Sequence, residues 1–89
     1  MLKDGVYTET EKGQMSDVTV EVTLGNNTIE TVKILEENET PGIGDIALER
    51  IPQAIIEKQS VEIDTVSGAT VTSQAILSAV KKVLEKANE

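Results

Sequence analysis

The chain has no cysteine, no histidine, no tryptophan and no phenylalanine among its 89 residues. Without cysteine there is no disulfide and no thiolate metal site, and the redox compartment leaves no mark on the composition. Without histidine, imidazole acid–base chemistry is excluded and zinc is a poor expectation. One aromatic residue, Tyr7, leaves a single ring to stack on any planar ligand. The core must therefore be assembled from Val, Ile, Leu and Ala, which favours a small sandwich of sheet and helix over a large cavity. Positive charge is also scarce: 8 Lys and Arg stand against 16 Asp and Glu, a formal charge of −8. Nucleic acid and anionic lipid are poor partners for such a chain. There is no 18-residue apolar run and no signal-peptide pattern, so this segment is expected neither to span a membrane nor to be exported by itself.

What is present reads as one domain. A chain of this length buries only about 60–65% of its unfolded surface, a thin but workable margin. Asp4-Gly5-Val6-Tyr7-Thr8 reads as a turn entering a strand, with Tyr7 packed on the sheet. Residues 9–16 are polar and contain glycine, which predicts a hairpin loop. Val18, Val20, Val22 and Leu24 then alternate strictly with Thr19, Glu21 and Thr23, the period of a strand with one buried face. Gly25-Asn26-Asn27 supplies residues that tolerate positive φ, the signal of a tight hairpin turn. In the second strand, residues 28–35, the apolar parity slips between Ile29 and Val32-Ile34, predicting a bulge or burial of both faces.

Beyond a charged stretch at residues 36–39, Thr40-Pro41-Gly42-Ile43-Gly44-Asp45 reads as a strand-to-helix loop. Ile46, Leu48, Ile51, Ile55 and Ile56 make the next segment helical, and Pro52 is expected to break it. Residues 61–63 read as a short edge strand. The acids Glu49, Glu57 and Glu62 read as solvated surface, because nothing in their spacing pins two carboxylates together.

The chain turns on Asp64-Thr65-Val66-Ser67-Gly68-Ala69-Thr70-Val71-Thr72-Ser73. It leads into the clearest amphipathic helix, where Ile76, Leu77, Val80, Val83, Leu84 and Ala87 recur on one face. A hydroxyl-rich turn opening a helix offers free backbone N–H groups and the positive end of a dipole, which together suit an anion. Thr72 or Ser73 is the expected N-cap, which leaves Ser67 and Thr70 without a structural duty. On residue types alone two readings stay open, a plain turn with its cap or a phosphate-holding turn. The lysines Lys81, Lys82 and Lys86 suit the dipole at the helix end.

The string Asp-x-x-Ser-Gly-Ala-Thr-x-Thr-Ser at residues 64–73 resembles the flavinylation motif of the FMN-binding domain family. Such domains occur in the C subunit of sodium-translocating NADH:quinone reductase, in the Rnf G subunit and in fumarate-reductase-type flavoproteins. Glu39-Thr40-Pro41-Gly42-Ile43-Gly44 resembles that family's second recurrent phrase, and both stand in the expected order. The opening Asp-Gly-x-Tyr is similar to the family's start and suggests a domain excised from a larger protein.

The resemblance implies that Thr70 carries FMN through a phosphoester, made by a separate flavin transferase that uses FAD and releases AMP. It implies that the transferase reads Asp64, that Gly68 and Ala69 allow close approach, and that Ser67, Thr72 and Ser73 lie beside the cofactor. Glu39, Thr40, Pro41, Gly42 and Gly44 would form the loop against the ring, with Thr40 hydrogen-bonding the flavin.

The expectation is thus an α+β domain over residues 1–89. A small antiparallel sheet packs against a long C-terminal helix and a shorter broken one, and the domain relays electrons for redox partner domains or subunits. The parent protein is expected to be membrane-associated or extracytoplasmic. Two alternatives are the same fold holding FMN non-covalently and a flavin-free docking module.

Overall fold

The computed structural model describes residues 2–13, 17–36, 44–66 and 68–88. Three strands, β1 (Gly5–Lys12), β2 (Asp17–Gly25) and β3 (Thr28–Glu36), precede two helices, α1 (Gly44–Lys58) and α2 (Thr70–Ala87). The strands form one antiparallel sheet in the order β1-β2-β3. This is the expected α+β class, with the longer helix last.

The alternation in β2 places Val18, Val20, Val22 and Leu24 against the helices, each at most 2% exposed. Asn26 and Asn27 both take positive φ, +54° and +59°, and Gly25 pairs with Thr28 across them. That is the two-residue turn whose twist matches a right-handed hairpin. The parity slip is a bulge: the register steps from Thr23↔Thr31 to Leu24↔Ile29, leaving Glu30 as the extra residue. The additional residue lets Ile29 and Val32 both face the core, at 3% and 8% exposure.

Three expectations need correction. Residues 9–12 belong to β1 and not to a loop, because Glu9 and Glu11 sit on the strand's inner side beneath α2. There Lys86 pairs with Glu9, and Lys82 with Glu11 at 2.7 Å. The Glu11 carboxylate raises the Lys82 pKa above its ordinary value. Thus the terminal lysines of α2 hold the edge strand as well as suiting the dipole.

Pro52 lies inside α1 and does not divide it. Proline removes one ladder bond and crowds the carbonyl of Leu48. Ala47, Ile51 and Ile55, spaced four apart and at most 2% exposed, keep both halves on one buried face.

Residues 61–63 form no strand among the described residues. The position beside Ile29 is taken by a side chain: Ile29 N–H donates to Gln59 Oε1 at 2.7 Å, and Gln59 Nε2 donates to the Ile29 carbonyl at 2.9 Å. One amide thus copies the pairing of a fourth strand. Val61, Ile63 and Val66 run past it half-buried against the core.

Gln59 follows α1 at φ +53°, where glycine is usual. Its amide explains the exception. Gln59→Ala should lower stability by about 1–3 kcal/mol, since two β3 backbone groups lose their partner. Gln59→Gly should recover part of that by relieving the left-handed backbone. Denaturant midpoints of the three chains check the order, and an alanine variant as stable as the parent would refute it.

Candidate functional site at the start of the last helix

α2 begins at Thr70, three to four residues earlier than its hydroxyls suggest. Its N-cap is Ala69, at φ −132° and ψ +40°, and no side chain caps it. Thr72 and Ser73 are therefore not the cap; they are first-turn residues, 2% and 0% exposed. The Ser73 hydroxyl donates to the Ala69 carbonyl at 2.7 Å and accepts from Val66 N–H at 3.0 Å. Ala69 cannot offer an oxygen, and at 1% exposure its methyl group instead belongs to the core.

The first turn of α2 contains no acidic residue. With no cap from Ala69 and no carboxylate in the first turn, the partial positive charge at this helix start is not offset from within α2, despite the acidic chain as a whole. Salt damps the distant carboxylates over about 8–10 Å, so the nearby amides decide what binds.

Around that start the exposed residues are Asp64, Thr65, Gly68, Thr70 and Val71. Gly68 has φ +84°, and a β-carbon placed there would meet none of the described residues within 4 Å. Glycine is needed here for its backbone, and no described residue crowds the space above it. Of the three hydroxyls in the first turn, Thr70 is exposed, and Thr72 and Ser73 are turned inward. The sequence alone could not separate these three. A shallow groove of about 220 Å³ opens between β1 and α2, lined by Glu11, Lys12, Val71, Gln74, Ala75 and Ser78. Gln74, one helical turn beyond Thr70, brings that groove next to the site.

Gly44 is the first residue of α1, whereas Glu39, Thr40, Pro41, Gly42 and Ser67 lie outside the described residues. The structure gathers Gly68, Ala69, Thr70, Thr72 and Ser73 at the start of α2, and Asp64 is exposed two residues before Val66. Sequence reasoning missed Val66, whose N–H and C=O both anchor the turn. A half-buried apolar residue just before the small ones was its signal. No helix among the described residues is long and apolar enough to cross a membrane.

An exposed hydroxyl at an uncapped, acid-free helix start, beside an open glycine, fits a phosphate-bearing group. Comparison with known proteins is consistent with that chemistry. The family model described as FMN-binding domain matches residues 13–85. The chain is 40% identical over 83 residues to an NADH:acrylate oxidoreductase of Vibrio harveyi, covering 93% of this chain and 8% of that protein. It is 32% identical over 79 residues to a urocanate reductase of Eggerthella lenta, covering 89% of this chain and 13% of the relative. An uncharacterized protein of Treponema pallidum is 35% identical over 85 residues, covering 96% and 24%. The chain thus spans a quarter or less of the length of these relatives. Among solved structures, the CPE2226 protein from Clostridium perfringens is similar with a TM-score of 0.77 and 26% identity, over 98% of this chain and 89% of that one.

Proposed function

The chain belongs to the family of FMN-binding domains and its cofactor is FMN, and from that premise we propose that the flavin is esterified to Thr70 and serves as an electron relay within a larger redox protein. One observation carries the attachment site. Thr70 is exposed at the uncapped start of α2, while Thr72 and Ser73 are buried.

The protein's part in the chemistry is to present an alcohol, hold a phosphate and leave one side open. Thr70 Oγ forms a bond to the flavin-bearing phosphorus of FAD and loses its proton. The pyrophosphate link breaks and AMP departs, so attachment needs no oxidant. The helix start then offsets the remaining phosphate charge. Gly68 leaves room for the transferase, and exposed Asp64 is a handle for it to read. Bound FMN supplies the redox chemistry, while this chain supplies position, polarity and access.

A role as one module among several is supported by the reductases that resemble this chain, of which it matches only a small part. Their redox domains are the class of partner expected here. The family resemblance also supports a parent protein at the membrane or outside the cytoplasm.

Co-expression with a flavin transferase should raise the intact mass of the chain by one FMN less one water, with a yellow colour that survives denaturation. Colour lost on denaturation, with no mass gain, would replace the ester by reversible binding.

A further inference from the structure

Ser73 sits where the family motif ends, yet it is 0% exposed, so its hydroxyl has no surface to offer a cofactor. A serine hydroxyl has one donor and two acceptor sites. The donor is spent on the Ala69 carbonyl and one acceptor site on the Val66 N–H. The Ala69 carbonyl also accepts from Ser73 N–H at 2.9 Å, so one residue takes it by both backbone and side chain. Ala69 N–H in turn donates to the Val66 carbonyl at 2.9 Å.

The peptide plane decides what this does. The Ala69 carbonyl and the Thr70 nitrogen belong to one rigid planar unit. Clamping the carbonyl therefore sets where Thr70 N–H points and where the Thr70 side chain leaves the backbone. An ordinary helix start takes such order from an N-cap oxygen, but Ala69 has none. Alanine at position 73 would satisfy helix propensity better than serine. The serine earns its place through the two bonds.

We propose that Ser73 is a positioning residue for flavin attachment: from inside the fold, its hydroxyl fixes the Val66-to-Ala69 turn and so aims the Thr70 hydroxyl outward. The proposal rests on the esterification of Thr70.

The test compares Ser73→Ala, Ser73→Thr and the parent chain in timed transferase reactions with FAD, read by intact mass. Ile51→Val serves as a mild destabilisation control in the α1 core. Ser73→Ala should lower the turnover of attachment about ten- to a hundredfold, as misplaced nucleophiles do. Its KM for the transferase should stay near the parent value, since Asp64 and Gly68 remain exposed. Ser73→Thr, which keeps the hydroxyl, should recover most of the rate, and Ile51→Val should react like the parent. Independently of any flavin, amide exchange at Val66 in Ser73→Ala should quicken about five- to tenfold, the loss of one modest hydrogen bond. Exchange at Val80, in mid-helix, should not change.

A parent chain that gains mass alongside a Ser73→Ala chain of equal turnover overturns this proposal alone. So does an Ile51→Val chain slowed to the same degree, or unchanged exchange at Val66. A parent chain that gains no mass overturns the esterification reading and takes this one with it.

Discussion

Thr70→Ala should abolish the transferase-dependent mass gain and leave the fold as it was. The expectation of near-complete loss follows from the loss of the nucleophile itself; the other two hydroxyls of the first turn are buried and cannot stand in. Thr72 is 2% exposed, and Ser73 is 0% exposed with its proton committed to Ala69. Stability should hardly change, because Thr70 is exposed and surface substitutions of this kind fall within about 0.5 kcal/mol. Alanine is also the better helix former at the first position of α2. Thr70→Ser keeps an alcohol in place and should still be loaded, more slowly because its rotamer is less restricted than that of a β-branched residue. Intact mass decides among the three. A full FMN increment on the alanine variant would put the bond on another residue.

The second large effect is on folding. Ile76→Ala, at the centre of the buried face of α2, should cost about 3 kcal/mol through lost burial and the cavity left behind. Ile76 is 0% exposed and shares its cluster with Val20, Val22, Ile51, Ile55 and Val80. The chain has no phenylalanine or tryptophan to swing into the gap, and the Tyr7 ring is tethered by its hydroxyl to the Lys3 carbonyl at 2.9 Å. A domain of this size has only about 4–13 kcal/mol in hand, and its melting temperature should fall by roughly 12–24 °C. Calorimetry checks it; a drop under 5 °C would mean that the site collapses around the smaller residue. Val71→Ala, 44% exposed on the same helix, is the matched control and should shift the midpoint little.

The parts of the fold that follow from periodicity were legible in the sequence. The β2 alternation, the Asn26-Asn27 turn, the slip in β3 and the apolar stripe of α2 each depend on residues close together in the chain. The misread parts depended on partners distant in sequence. Glu9 and Glu11 looked like loop because the lysines that pair with them lie more than seventy residues away. Residues 61–63 looked like a strand because nothing local reveals that Gln59 already occupies the sheet edge at Ile29. Pro52 looked like a break because the four-residue ladder of Ala47, Ile51 and Ile55 acts through tertiary burial, which outweighs one lost hydrogen bond.

The candidate site divides the same way. Its string of residues was visible, and the resemblance supplied the cofactor. Which hydroxyl faces outward was not visible, because it depends on α2 starting at Thr70 with a bare alanine before it.

Lys3 N–H donates to the Ala87 carbonyl at 2.8 Å, and Leu2 bridges Asn88. Any polypeptide running on from both sides would leave the domain at one corner, at the far end of α2 from Thr70. At 1.5 Å per residue, that helix is a lever of about 25 Å. A group held at Thr70 would stand that far from whatever is joined at the corner, so the strands and α1 could face a neighbour without covering it.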